Sequence, residues 1–134
     1  MQVRTLLILA VSFITLSTGS LFAHHSFAAQ YDASKSVTVT GTVTKVEWMN
    51  PHARFYLDVK DAAGTVLNWE FELGSPNGLI RLGWTRNSLK TGDSIKVTGY
   101  PARDGSRVVN ALDVMLGDGR KVFAGSSINT TPGK

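Results

Sequence analysis

Two consecutive stretches alternate so strictly that few structures other than a β-hairpin can accommodate them. Ala53, Phe55, Leu57 and Val59 share one parity, and His52, Arg54, Tyr56 and Asp58 share the other. After Lys60-Asp61-Ala62-Ala63-Gly64, the residues Leu67, Trp69, Phe71 and Leu73 alternate again with Asn68, Glu70 and Glu72. Successive side chains of a strand point to opposite faces, so each stretch has one apolar face to bury and one polar face to keep wet. The glycine-ended connection joins the two as antiparallel neighbours, with Arg54 expected near Glu72 and Tyr56 near Glu70. A two-stranded ribbon is marginal in water by itself, so the rest of the chain must supply more sheet.

It does so on both sides. Val37, Val39, Gly41 and Val43 alternate with Thr38, Thr40, Thr42 and Thr44, after which the apolar parity switches to Val46 and Trp48. One extra residue near Lys45 accounts for the switch, and such a bulge bends a strand. Beyond the hairpin the period changes. Ser75 suits a helix cap, Pro76 the first helical position, Leu79, Ile80 and Leu82 a short apolar face, and Gly83 the end. A fourth strand over residues 94–100, a fifth over 107–116 and a short return strand over 120–123 follow. The order is three strands, a helix and two strands, with a bent first strand. It predicts a mainly all-β domain: a five-stranded Greek-key barrel of the oligonucleotide/oligosaccharide-binding (OB-like) type, with one short helix between strands three and four.

The chain start reads as an export signal. Arg4 precedes an apolar run over residues 6–16, and Leu21-Phe22-Ala23 places a small residue before a cleavage point. That run is well short of the roughly 20 residues that span a bilayer. The expected organisation is a signal peptide at 1–23, an N-terminal segment at 24–36, a barrel at 37–125 and a flexible tail at 126–134. The expected location is the periplasm, with no membrane span left after cleavage. Fourteen Lys and Arg stand against ten Asp and Glu, with Arg4 the one charged residue of the leader. The basic residues are dispersed, which argues against a nucleic-acid partner. No cysteine is present, so a core of this size must hold without disulfide staples, as many periplasmic domains do.

The motifs resemble those of a family of small exported proteobacterial proteins known only as a domain of unknown function. They run from His24-His25-Ser26-Phe27-Ala28 with Tyr31-Asp32, through Val46-Glu47-Trp48-Met49-Asn50-Pro51-His52-Ala53-Arg54-Phe55, to Asn68-Trp69-Glu70, Ser75-Pro76-Asn77-Gly78-Leu79, Gly83-Trp84 and Leu89-Lys90-Thr91-Gly92-Asp93. The resemblance implies export and a small β-barrel, and brings no activity with it.

Three constellations bear on function. Cleavage after Ala23 would expose His24 as the first residue. Its α-amino group and imidazole, with His25 beside it and His52 at the mouth of the second strand, form a nitrogen-rich set that suits copper(II). The outer face of strands two and three carries Arg54, Tyr56, Glu70 and Glu72. This is the face on which such barrels commonly hold a ligand, and its carboxylates would repel nucleic-acid phosphates. Trp48, Tyr56 and Trp84 are the aromatic groups available to a cell-envelope oligosaccharide, whereas Trp69 falls in the inward set. No nucleophile elbow, reactive cysteine or metal-hydrolase spacing is present. The reading is therefore a non-enzymatic binding or interaction module, taking a small ligand or an envelope protein. Copper binding through His24, His25 and His52, and oligosaccharide binding, are the alternatives.

Overall fold

The computed structural model describes residues 27–125. The leader, His24 and His25, and the tail at 126–134 lie outside the described residues. Among the described residues, six strands and one helix longer than a single turn follow in order: β1 Val37–Glu47, β2 Arg54–Lys60, β3 Val66–Glu72, α1 Pro76–Arg81, β4 Ser94–Pro101, β5 Val108–Met115 and β6 Lys121–Phe123. The sheet runs β3-β2-β1-β4-β5-β6, and a parallel pairing of β3 with β5 closes the first five strands into a barrel. Among the described residues no helix is long and apolar enough to cross a membrane.

The local physics read in the sequence operates along the strands and at the ends of the helix. The register of β1 on β2 shifts between Val43 and Lys45. Before that bulge Val39 and Val43 face the core, and after it Val46 does. The bent strand pairs with β4 along its first half and with β2 along its second, which lets one strand serve two sides of a barrel. Gly41 sits where β1 crosses β2 most closely: a β-carbon there would meet the Asp58 carbonyl oxygen at 2.6 Å. On the hairpin, Arg54 pairs with Glu72 and Tyr56 with Glu70, as the alternation required. Ser75 caps α1 by accepting the Gly78 N–H at 3.2 Å, Pro76 opens the helix, and Gly83, at φ 92°, turns the chain out of it.

Phe55 and Phe71 stack across β2 and β3 with ring centroids 5.0 Å apart. Leu57, Leu79, Val97, Val109 and Val114 complete the buried centre.

The helix departs from expectation. Only Leu79 of its apolar residues plugs the barrel, while Ile80 and Leu82 are 55% and 48% exposed. Six residues make under two turns, too few for a full apolar stripe to face the barrel. Trp84, just beyond, takes that packing role.

The segment before β1 belongs to the domain rather than trailing from it. Residues 27–30 make one helical turn, Tyr31 bridges to Ala102, and the Asp32 N–H donates to the Pro101 carbonyl. Arg103 fastens this strap by donating from Nε to the Ala28 carbonyl at 2.7 Å and from its own backbone N–H to Gln30. Phe27 packs on Tyr31 and, edge-on, on Tyr100. The strap therefore lies across the outer side of β4 and β5. That is why Val109, Asn110 and Ala111 are buried in succession on a strand whose alternate residues point outward.

Candidate functional site

At the mouth of the barrel, where β2 begins and β3 ends, four polar side chains meet around one carboxylate. Glu72 belongs to the outward parity of β3, yet it is only 8% exposed because the strap covers it. His52 precedes β2 and presents Nδ1 to Glu72 Oε1 at 3.2 Å, while its side chain stays 38% exposed. Arg54 places Nη2 3.5 Å from Glu72 Oε2 and Nε 3.0 Å from Glu70 Oε1. Asn110, on the neighbouring β5, donates from Nδ2 to Glu72 Oε1 at 3.5 Å, and its Oδ1 is buried without a partner among the described residues. From the strap, Tyr31 brings its hydroxyl within the influence of the Glu72 charge and accepts a hydrogen bond from Gln30 Nε2 at 3.1 Å.

A carboxylate accepts protons but offers none, so the ring nitrogen facing Glu72 is the one on which a proton is stabilised. Glu72 thus favours the His52 tautomer with the proton on Nδ1 and the lone pair on Nε2. Carboxylate–imidazole pairs of this kind hold histidines that bind metals or move protons.

The Tyr31 hydroxyl is held well above its ordinary value of 10.0, first by burial and then by the charge and hydrogen-bond demand of Glu72, with Glu70 adding to it. A raised pKa means that the folded protein keeps this proton where the unfolded chain releases it. The associated stability is intact below pH 10 and is lost as pH rises above it. Phenolate absorbance followed alongside circular dichroism is therefore expected to show Tyr31 ionising only with unfolding, and Tyr31→Phe is expected to remove that part of the alkaline loss.

Further along the outer face the charges are paired among themselves. Tyr56 donates its hydroxyl to Glu47 Oε2 at 3.1 Å, not to Glu70 across the hairpin. Lys45 pairs with Glu47 and lies 5.2 Å over the Tyr56 ring. One side of that ring is thereby taken by a cation. Trp48 is half-buried against the core. Trp84, offered from sequence as one of the aromatic groups available to an oligosaccharide, is 3% exposed and donates Nε1 to the Phe123 carbonyl at 2.7 Å, so it fastens β6 to the barrel. Trp84→Phe is expected to keep the fold and to cost about 1 kcal/mol in denaturant unfolding, the usual net worth of one such bond.

His52, Arg54, Glu70 and Glu72 are therefore brought together, Tyr56 and Trp48 lie beside them, and Trp84 does not take part. Sequence reading missed Tyr31, Gln30 and Asn110. Tyr31 stands in one of the motifs that carry the resemblance, but no local pattern gives any of the three a place at a site, because their roles depend on the strap crossing β5. Two open concavities lie elsewhere. One of about 510 Å³ runs between Thr40, Thr42, Asp58, Lys60 and Ser94, and one of about 210 Å³ runs between Ser88, Asp93, Leu116 and Arg120. Among the described residues no cluster of three or more His, Cys, Asp or Glu is placed to hold a metal ion. His24 and His25, proposed from sequence as ligands, lie outside those residues.

A family model described as a family of unknown function (DUF6152) matches residues 12–111. No curated protein matches the chain.

Proposed function

Because the chain belongs to DUF6152, a family of unknown function, its role has to be read from its own site, and we propose that it is an exported, non-enzymatic binding module whose ligand meets the barrel mouth at His52. The observation that carries this reading is the half-exposed imidazole backed by a buried, multiply held carboxylate. The other charged side chains of the face are largely engaged with one another, which is the arrangement of a stable surface, whereas His52 keeps one ring nitrogen for a visitor. The leader pattern at 1–23 supports export to the periplasm.

Cell fractionation with an intact mass, followed by amide-resolved NMR titration with copper(II), a chitooligosaccharide and a muropeptide mixture, tests the reading. A periplasmic species beginning at His24, with shifts clustered on residues 47–56 and 70–72 for one of these probes, is expected. A cytosolic full-length species, or shifts confined to the concavities beside β1 and β4, would overturn it.

A second reading, copper binding, is favoured by the strap. The Glu72 charge acts on Tyr31, and Glu72 faces His52. Phe27, two residues after His25, packs on that same Tyr31. Three nitrogen donors from the mature amino terminus, His24 and His52 suit copper(II), with His25 as an alternate ligand. The oligosaccharide reading is weaker, because Trp84 is internal and the Tyr56 ring is capped by Lys45.

A further inference from the structure

One stretch of β1 has main-chain groups without a strand to meet them. Val43 donates its N–H to the Asp93 carbonyl and accepts the Gly92 N–H at its own, so odd positions of β1 turn their main-chain groups toward β4 and even positions turn theirs away. Thr38 and Thr98 accordingly meet through their side chains, Oγ1 to Oγ1 at 3.1 Å. Thr42 spends its outward groups on β2, where it pairs with Asp58. There the ladder with β2 ends, because β2 crosses hard against Gly41 and then turns at Asp61 into its hairpin. The N–H and C=O of Thr38 and Thr40 therefore face a side on which no strand of the described residues pairs with them. Both residues are exposed.

An open edge is a template for one more strand. We propose that the edge formed by residues 37–41 docks an extended, acidic segment of a partner protein, which adds to the sheet beside β1. The site lies at the other end of β1 from the loop that carries His52, and it is independent of the reading of the barrel mouth.

The face next to this edge sets the chemistry of the guest. Thr40, Thr42, Asp58, Lys60, Val66 and Ser94 line the concavity of about 510 Å³, which gives room to the side chains on one face of an added strand. The Asp58 carboxylate is engaged by Asn68 Nδ2 at 2.9 Å. Lys60 is exposed, and so is Lys96, the cross-strand neighbour of Thr40 on the same face. Among the described residues neither forms an ion pair, whereas Lys35, Lys45 and Lys121 each do. Alternate carboxylates on an added strand meet these ammonium groups, while its main chain meets Thr38 and Thr40. A second copy of the edge is a poorer guest: residues 37–41 hold no acidic side chain, and self-pairing would bring a second pair of ammonium groups to the same edge. The lysines thus guard against self-association and admit an acidic chain.

NMR and hydrogen exchange of the purified protein, titrated with a short capped peptide alternating glutamate with valine, provide the test. In the free protein the Thr38 and Thr40 amides are expected to exchange fast, and the Val39 and Gly41 amides, which face β4, slowly. The peptide is expected to protect Thr38 and Thr40, and to bind at least several-fold more weakly to Lys60→Glu and to Lys96→Glu. Thr40→Pro removes an outward donor and no bond to β4, a change that edge strands accept. It is expected to weaken peptide binding while Val97 and Val114 stay protected. Where that variant does not fold, two alternately N-methylated peptides make the same cut from the other side: the one whose methyl groups face β1 is expected to lose binding and the other to keep it. Equal binding of both methylated peptides and the parent, or of a peptide with lysine in place of glutamate, overturns the proposal. So does protection of Thr38 and Thr40 that grows with protein concentration alone, which would give the edge to a second copy. Shifts on this face with polygalacturonate and none with the peptide would make it a surface for an acidic polysaccharide and overturn strand addition. His52→Ala is expected to bind the peptide as the wild type does, and loss of binding there would move the peptide to the mouth and overturn the site.

Discussion

Phe71→Ala is expected to lower the unfolding free energy by about 3–5 kcal/mol in urea titration, a large share of the 5–15 kcal/mol typical of a whole domain. Phe71 is fully buried, stacks on Phe55 across the hairpin and lies 6.5 Å from Trp69 between ring centroids. It also pairs with Val109 at the parallel contact of β3 with β5 that closes the barrel. Truncation removes the transfer free energy of an aromatic ring and leaves a void whose walls are five pinned strands, so little relaxation is available. Hydrogen-exchange protection is expected to fall in every strand at once, because the closure joins them in one cooperative unit. A loss under 1 kcal/mol would mean that the barrel can collapse around the gap, contrary to this packing.

The second large effect is expected at the strap. Tyr31 is among the largest fully buried side chains of the protein, and its removal forfeits aromatic burial on the scale of about 3–5 kcal/mol if the surroundings stay in place. They need not stay. The strap is tied to the barrel by Phe27, Tyr31, Asp32 and the Arg103 contacts. Tyr31→Ala can therefore lose no more than the free energy with which the strap docks, after which the strap comes away and the barrel persists. The expected result is a small shift of the global transition, with the Asp32 and Arg103 amides exchanging freely and Val97 and Val114 still protected. Loss of protection across the whole sheet would show instead that the strap is part of the core.

These two outcomes would separate the molecule into a barrel that holds itself together and a strap that covers its mouth. The distinction bears on function because the mouth is where His52, Arg54, Glu70 and Glu72 converge. Had Glu72 remained in water, the face would be a set of cross-strand ion pairs of the kind that contribute little. Covered by the strap, the same carboxylate becomes a fixed backing for an imidazole.

Much of the barrel was legible from the chain alone, for reasons local to each stretch. The pairing of Arg54 with Glu72 follows from two alternating runs joined by a short loop, since a period of two and a turn leave one register that buries Phe55 and Phe71 together. The bulge between Val43 and Lys45 follows from the switch of apolar parity. Ser75, Pro76 and Gly83 bounded the helix because capping, a preset φ and a positive φ are properties of single residues. What only the tertiary structure decided is which outward positions are covered. Ile80 and Leu82, apolar, were left in solvent, and Trp84, beside a loop, was drawn inward to the Phe123 carbonyl. Glu72 and Asn110, polar and on outward parities, were buried under Tyr31. Periodicity tells a side chain which face of its own strand it occupies. It carries no information about what distant segment lies over that face, because burial there is a contact between parts of the chain whose patterns are independent of one another.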